Sequence, residues 1–102
     1  MGVFRVRNTV NGKSLVGTSV DLPSILNRER AQLNFGGHPN RELQREWNEM
    51  GAGAFTFEVL DTLAPRQEPD YDPADDLRAL EALWLEKLQP FGDRGYNARP
   101  KE

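Results

Sequence analysis

The stretch GVFRVRNTVNGKSLVGTS, residues 2–19, decides how the rest of the chain is read. Two short apolar runs, Val3–Arg7 and Ser14–Ser19, flank Asn11-Gly12, the strongest short-range signal for a β-hairpin. With Asn11-Gly12 as a two-residue loop, Val10 faces Lys13, Phe4 lies opposite Ser19, Val6 opposite Gly17 and Asn8 opposite Leu15. Side chains alternate along a strand, so Phe4, Val6, Asn8, Leu15, Gly17 and Ser19 share one face. Gly17 leaves that face locally bare, which suits close approach by a helix or a ligand. Taken alone, these residues favour a packed helix.

Working outward, Asp21 can cap a helix whose apolar positions Leu22, Ile25, Leu26 and Leu33 form one face, and NFGGHP (34–39) breaks it. A shorter helix from about Asn40 to Met50 follows, with Leu43, Trp47 and Met50 aligned and Gly51 as its stop. Ala54–Leu60 alternates Phe55, Phe57 and Val59 with Thr56, Glu58 and Leu60, the pattern of a third strand. The prolines and acids of APRQEPDYDP (64–73) make a surface loop. The last helix begins at Asp72-Pro73, runs to about Leu88 and ends before Pro90, and Gly95-Tyr96-Asn97 closes the domain. The predicted architecture is α+β, order β-β-α-α-β-α, as one domain over residues 1–102.

Composition limits what such a domain can be. A chain of 102 residues with 37% hydrophobic side chains supports one modest core. It has no cysteine, hence no disulfide framework and no cysteine-based zinc site. No apolar stretch approaches the length of a membrane helix, and Met1-Gly2 leads straight into strand-like sequence, so a cytoplasmic location without a membrane partner is expected. The net charge of −3 is uneven. Glu68, Asp70, Asp72, Asp75 and Asp76 cluster before the last helix, whereas residues 1–47 carry seven Lys/Arg against four acids. That is either ordinary solvated surface with an acidic helix start, or a weak phosphate-facing side on the N-terminal half.

Two side chains break their local pattern. Glu81 falls within the apolar arc of Leu77, Trp84, Leu85 and Leu88, where a carboxylate must be paired, metal-bound, neutralised or at the mouth of a cleft. Lys87 intrudes on the same broad arc. His38, beside Pro39, reads as a surface or capping residue.

In order, these segments resemble the GIY-YIG nuclease superfamily. Gly2-Val3-Phe4 and, ten residues on, Leu15-Val16-Gly17 look like its two name-giving triplets. HPNRELQREWNEMGAGAFTFEVL (38–60) resembles the helix–turn–strand of its stand-alone bacterial and phage homing members. LEALWLEKL (80–88) resembles the helix carrying the family glutamate, and GYN (95–97) its closing motif. The resemblance implies a small three-stranded antiparallel sheet flanked by helices, with the bare hairpin face lining a site. It also implies a set of roles. A first tyrosine acts as, or supports, the general base on water, and a second holds that network. An arginine on the first helix holds the scissile phosphate, a glutamate binds a divalent metal, and a late asparagine completes the site.

Position by position, these are Phe4, Leu15, Ile25, Glu81 and Asn97. The first three have lost their chemistry. A positioned acid–base group is worth about 10²–10⁴-fold and an oxyanion-type donor about 10²–10³-fold, so even one such loss is severe. Arg28, one turn beyond Ile25, is a candidate phosphate contact, with Arg5 and Arg30. The expectation is a superfamily member that is catalytically impaired or inactive and binds nucleic acid, weakly and non-specifically, or an unknown protein. The alternative is an active metal-dependent DNA endonuclease with an altered site. Mg²⁺ or Mn²⁺ at Glu81 is expected to be held weakly, mostly through water, with no other cofactor.

Overall fold

The computed structural model describes residues 1–64 and 66–98. Strands β1 (Gly2–Asn8), β2 (Ser14–Ser19) and β3 (Phe55–Thr62) form one antiparallel sheet in the order β2-β1-β3. Helices α1 (Leu22–Phe35) and α2 (Arg41–Met50) fall between β2 and β3, and α3 (Ala74–Leu88) follows, giving the expected β-β-α-α-β-α order. The central position of β1 explains why Val3 and Val6 are fully buried.

Helix starts follow capping chemistry. The Asp21 carboxylate accepts from the Ser24 N–H at 3.2 Å, and the Asn40 side chain accepts from the Leu43 N–H at 3.0 Å. At α3 the Asp72 carboxylate accepts from the Ala74 N–H at 3.0 Å, while Asp75 and Asp76 lie in the first turn, where the helix dipole favours anions. Val6, Leu33, Leu43, Trp47, Phe55 and Tyr96 form the main core, with Leu15, Ala54 and Phe57 packed against it. Trp47 stacks tilted on Phe55 at 5.2 Å between ring centres. Helix α3 contributes nothing to that cluster; it packs on β1 and β2, and its Trp84 donates to Asp61 of β3 at 3.1 Å.

The hairpin register differs from the expected one by two residues. Phe4 pairs with Gly17, Val6 with Leu15 and Gly2 with Ser19. The cause is Asn8, whose side-chain oxygen accepts from the Val10 N–H at 2.9 Å while its carbonyl accepts from the Gly12 N–H at 2.8 Å. These bonds lengthen the loop, and Gly12, at φ 78°, carries the left-handed turn. Because the side-chain period is two, a two-residue slip leaves the same residues on the same face.

Past α3 the chain returns to the outer edge of β2. The Tyr96 N–H donates to the Ser14 carbonyl at 3.0 Å, and Gly95 lies in a parallel bridge with Ser14. An otherwise open edge strand is thereby covered. Among the described residues, no helix is long and apolar enough to cross a membrane.

Candidate functional site

Phe4 is 4% exposed and lies across β2 at Gly17, where a Cβ would meet its Cζ at 2.8 Å. The bare spot on the hairpin face is therefore filled by the neighbouring strand's aromatic ring. This corrects the expectation that it awaits a helix or ligand. A tyrosine would carry its hydroxyl on that same Cζ; here the position ends in C–H. Leu15 packs against the main core, and Ile25 is half-buried on α1.

Glu81 stands apart from these three. Half-buried on α3, it lines a cleft of about 450 Å³ with Thr18, Ser19, Val20, Asp72, Leu77 and Arg78. Neither Phe4, Leu15 nor Ile25 lines that cleft. Arg78, one turn before Glu81, pairs with Asp75 at 3.4 Å, and among the described residues Glu81 takes no hydrogen bond or salt bridge. Of the environments open to a carboxylate on this arc, it occupies the mouth of a cleft. Lys87, the other irregularity on the helix, lies over the Trp84 ring at 4.9 Å. No group of three or more His, Cys, Asp or Glu suited to a metal occurs among the described residues.

Asn97 acts on the backbone. Its side-chain oxygen accepts from the Val16 N–H and its amide donates to the Val16 carbonyl, both at 2.8 Å. A half-buried amide in this double contact extends the ladder of β2 by one rung. Of the candidate phosphate contacts, Arg5 is bound to Glu58 at 2.9 Å and is largely buried. That pairing holds the Glu58 carboxyl below its ordinary range. Arg28 and Arg30 are exposed on α1, with Arg30 stacked over Phe57 at 4.7 Å.

Two buried polar groupings have no counterpart in the sequence reading. His38 is 8% exposed, which corrects its placement at the surface. The Asn40 N–H donates to its Nδ1 at 3.0 Å, so Nε2 carries the proton that is given to Glu29 of α1. Glu46 of α2, also buried, accepts from Asn11 at 2.7 Å, Tyr96 at 2.7 Å, Asn8 at 3.1 Å and Lys13 at 3.3 Å. Burial pushes the Glu46 carboxyl up, but the bonds from Tyr96, Asn11 and Lys13 outweigh it and leave the group below its ordinary value. Burial and the bond to Glu46 push the Tyr96 hydroxyl well above the usual tyrosine range. This network fastens the hairpin loop, α2 and the closing segment together, and so holds Asn97 at β2.

The whole arrangement has close structural parallels. The catalytic domain of the homing endonuclease I-TevI matches with a TM-score of 0.78 at 26% identity, over 97% of this chain and 98% of that domain. A glutamate-to-alanine variant of the same domain matches with a TM-score of 0.76 at 26% identity, over 94% of this chain and 90% of that one. In fold the chain is GIY-YIG-like, matching that catalytic domain. In sequence it is 29% identical over 96 residues to intron-associated endonuclease 1 of Enterobacteria phage T4, and it spans 36% of that protein's length. No family model matches the chain.

The positions that the resemblance singles out have different surroundings in this fold. Phe4, Leu15 and Asn97 are absorbed into packing and strand edge, Ile25 is half-buried on α1, and Glu81 lines an open cleft. The sequence places Asp72 in the acidic run before α3 but not at this cleft, and it singles out neither Thr18 nor Arg78. Only Arg78, three residues before Glu81 on the same helix, left a signal that a helical wheel could have caught.

Proposed function

We propose that this GIY-YIG-like domain binds nucleic acid and leaves the phosphodiester backbone intact. The observation that carries the reading is Phe4 on Gly17. At the position where the family resemblance calls for a hydroxyl to manage the proton of attacking water, this chain has a buried C–H edge. Around Glu81 the charges also oppose a phosphate, because Asp72 shares the cleft and Arg78 is engaged by Asp75. The endonuclease relatives support a nucleic-acid ligand, and net acidity limits its affinity to the non-specific range, Kd roughly 10⁻⁴–10⁻⁶ M.

The cleft suits a loosely held hard cation. Mg²⁺ is commonly bound through one or two carboxylates, with water and phosphate oxygens completing the shell. Glu81 would hold the ion, with Asp72 and the hydroxyls of Thr18 and Ser19 nearby, and a bound ion would supply charge neutralisation at phosphate and a more acidic water. The same opening favours the second reading, a working metal-dependent endonuclease that uses Glu81 with Arg78 released from Asp75.

Restoring the lost groups separates the two. The combined variant Phe4→Tyr, Leu15→Tyr, Ile25→Arg should gain metal-dependent nicking of supercoiled plasmid, while each single change should not, since base and phosphate clamp act as a unit. Circular dichroism first establishes that the variant folds, because the changes put larger and charged groups into packed positions. A folded triple variant that stays silent would count against loss of these three side chains as the reason for inactivity.

A further inference from the structure

We propose that the outward side of α1 is a nucleic-acid contact that holds phosphate at Arg28 and stacks an unpaired base on Phe35; this rests on the nucleic-acid reading above and specifies its ligand. Phe35 is 90% exposed at the last position of α1. Arg28 and Phe35 are seven residues apart, two helical turns, so they lie on one stripe about 10 Å apart along the axis, with exposed Ala31 between them.

The approach to the ring is open. Gly36 and Gly37 follow it, and a Cβ at either would meet nothing within 4 Å. The charge of the stripe is one-sided. Glu29 is the only acid within α1, and it turns inward to His38, leaving Arg28 as the charged group on the stripe with Phe35, while Arg30, two residues on, lies on the flank over Phe57. Anionic ligands are therefore favoured along this helix, whereas the start of α3, with Asp75 and Asp76, repels them. An isolated cation would suit any polyanion; the exposed ring beside it narrows the choice. Duplex bases hide their faces, whereas unpaired bases offer a π-surface to an aromatic side chain.

Fluorescence anisotropy with a labelled single-stranded oligonucleotide and the matching blunt duplex, over a salt series, tests the proposal. Phe35→Ala should weaken single-strand binding by at least about fivefold and leave duplex binding unchanged. Phe35→Trp should restore it, and Arg28→Ala should weaken both ligands and lower the salt slope by about one. Both positions are exposed, so the variants should melt with the wild type. Equal single-strand affinity for wild type and Phe35→Ala overturns the proposal, as does a wild-type dimer that Phe35→Ala converts to monomer. Duplex binding with no single-strand preference overturns this inference alone, whereas absence of binding to either ligand overturns the underlying reading too.

Discussion

Gly17 is glycine because of Phe4, and that dependence can be measured. A methyl group at residue 17 would sit 2.8 Å from the Phe4 ring, so Gly17→Ala should destabilise the fold by about 1–3 kcal/mol through overpacking. Removing the ring should cost about 3–5 kcal/mol. In the double variant the clash is gone, so urea denaturation should give a combined loss smaller than the sum; strict additivity would show that the two side chains do not compete for space. Asn97 makes a similar point about chemistry turned to structure. Asn97→Ala leaves the Val16 N–H and carbonyl without their side-chain partner, a loss of about 1–3 kcal/mol, and should speed hydrogen exchange at the Val16 amide. Unchanged exchange would remove its role at the strand edge. The motif letters of both residues were legible in the sequence. What the side chains touch was not, because Phe4 meets Gly17 and Asn97 meets Val16 only through the paired register.

Between elements, the hairpin loop, α2 and the closing segment share one carboxylate. Glu46 gathers donors from the hairpin loop and the closing segment, and its folded pKa lies below the ordinary value of 4.5. Its contribution is therefore complete above the unfolded value and is lost as pH falls through the depressed folded one. Wild type should exceed Glu46→Gln in stability near neutrality by about 1–3 kcal/mol, and the gap should narrow below about pH 4.5. Urea titrations from acid to neutral pH check this; a gap that stays constant with pH would mean that the charge on Glu46 is immaterial. The order of strands and helices was readable from periodicity, caps and prolines, because those signals are local. The register escapes the sequence because Asn8, and not the Asn-Gly pair alone, controls the turn. The Glu46 network and the Glu29–His38 pair join residues on different segments, and no spacing rule announces them. Glu81 is the intermediate case, since its misplaced charge was visible on the wheel but the cleft that accommodates it was not.

Across the whole molecule, charge and apolar packing are kept apart. Carboxylates line or flank the Glu81 cleft, free arginines lie on α1, and the aromatic and aliphatic replacements of the family's polar groups are packed or half-buried. On the proposed reading Arg28 holds a phosphate without cleaving it, because Phe4 and Leu15 carry no hydroxyl to take a proton from water. The direct test is incubation of excess wild-type protein with supercoiled plasmid and branched DNA in Mg²⁺ or Mn²⁺ for hours, beside Glu81→Ala. Both proteins should leave every substrate intact. Metal-dependent cleavage by wild type that disappears in Glu81→Ala would contradict the account and make this domain a nuclease with a rebuilt site.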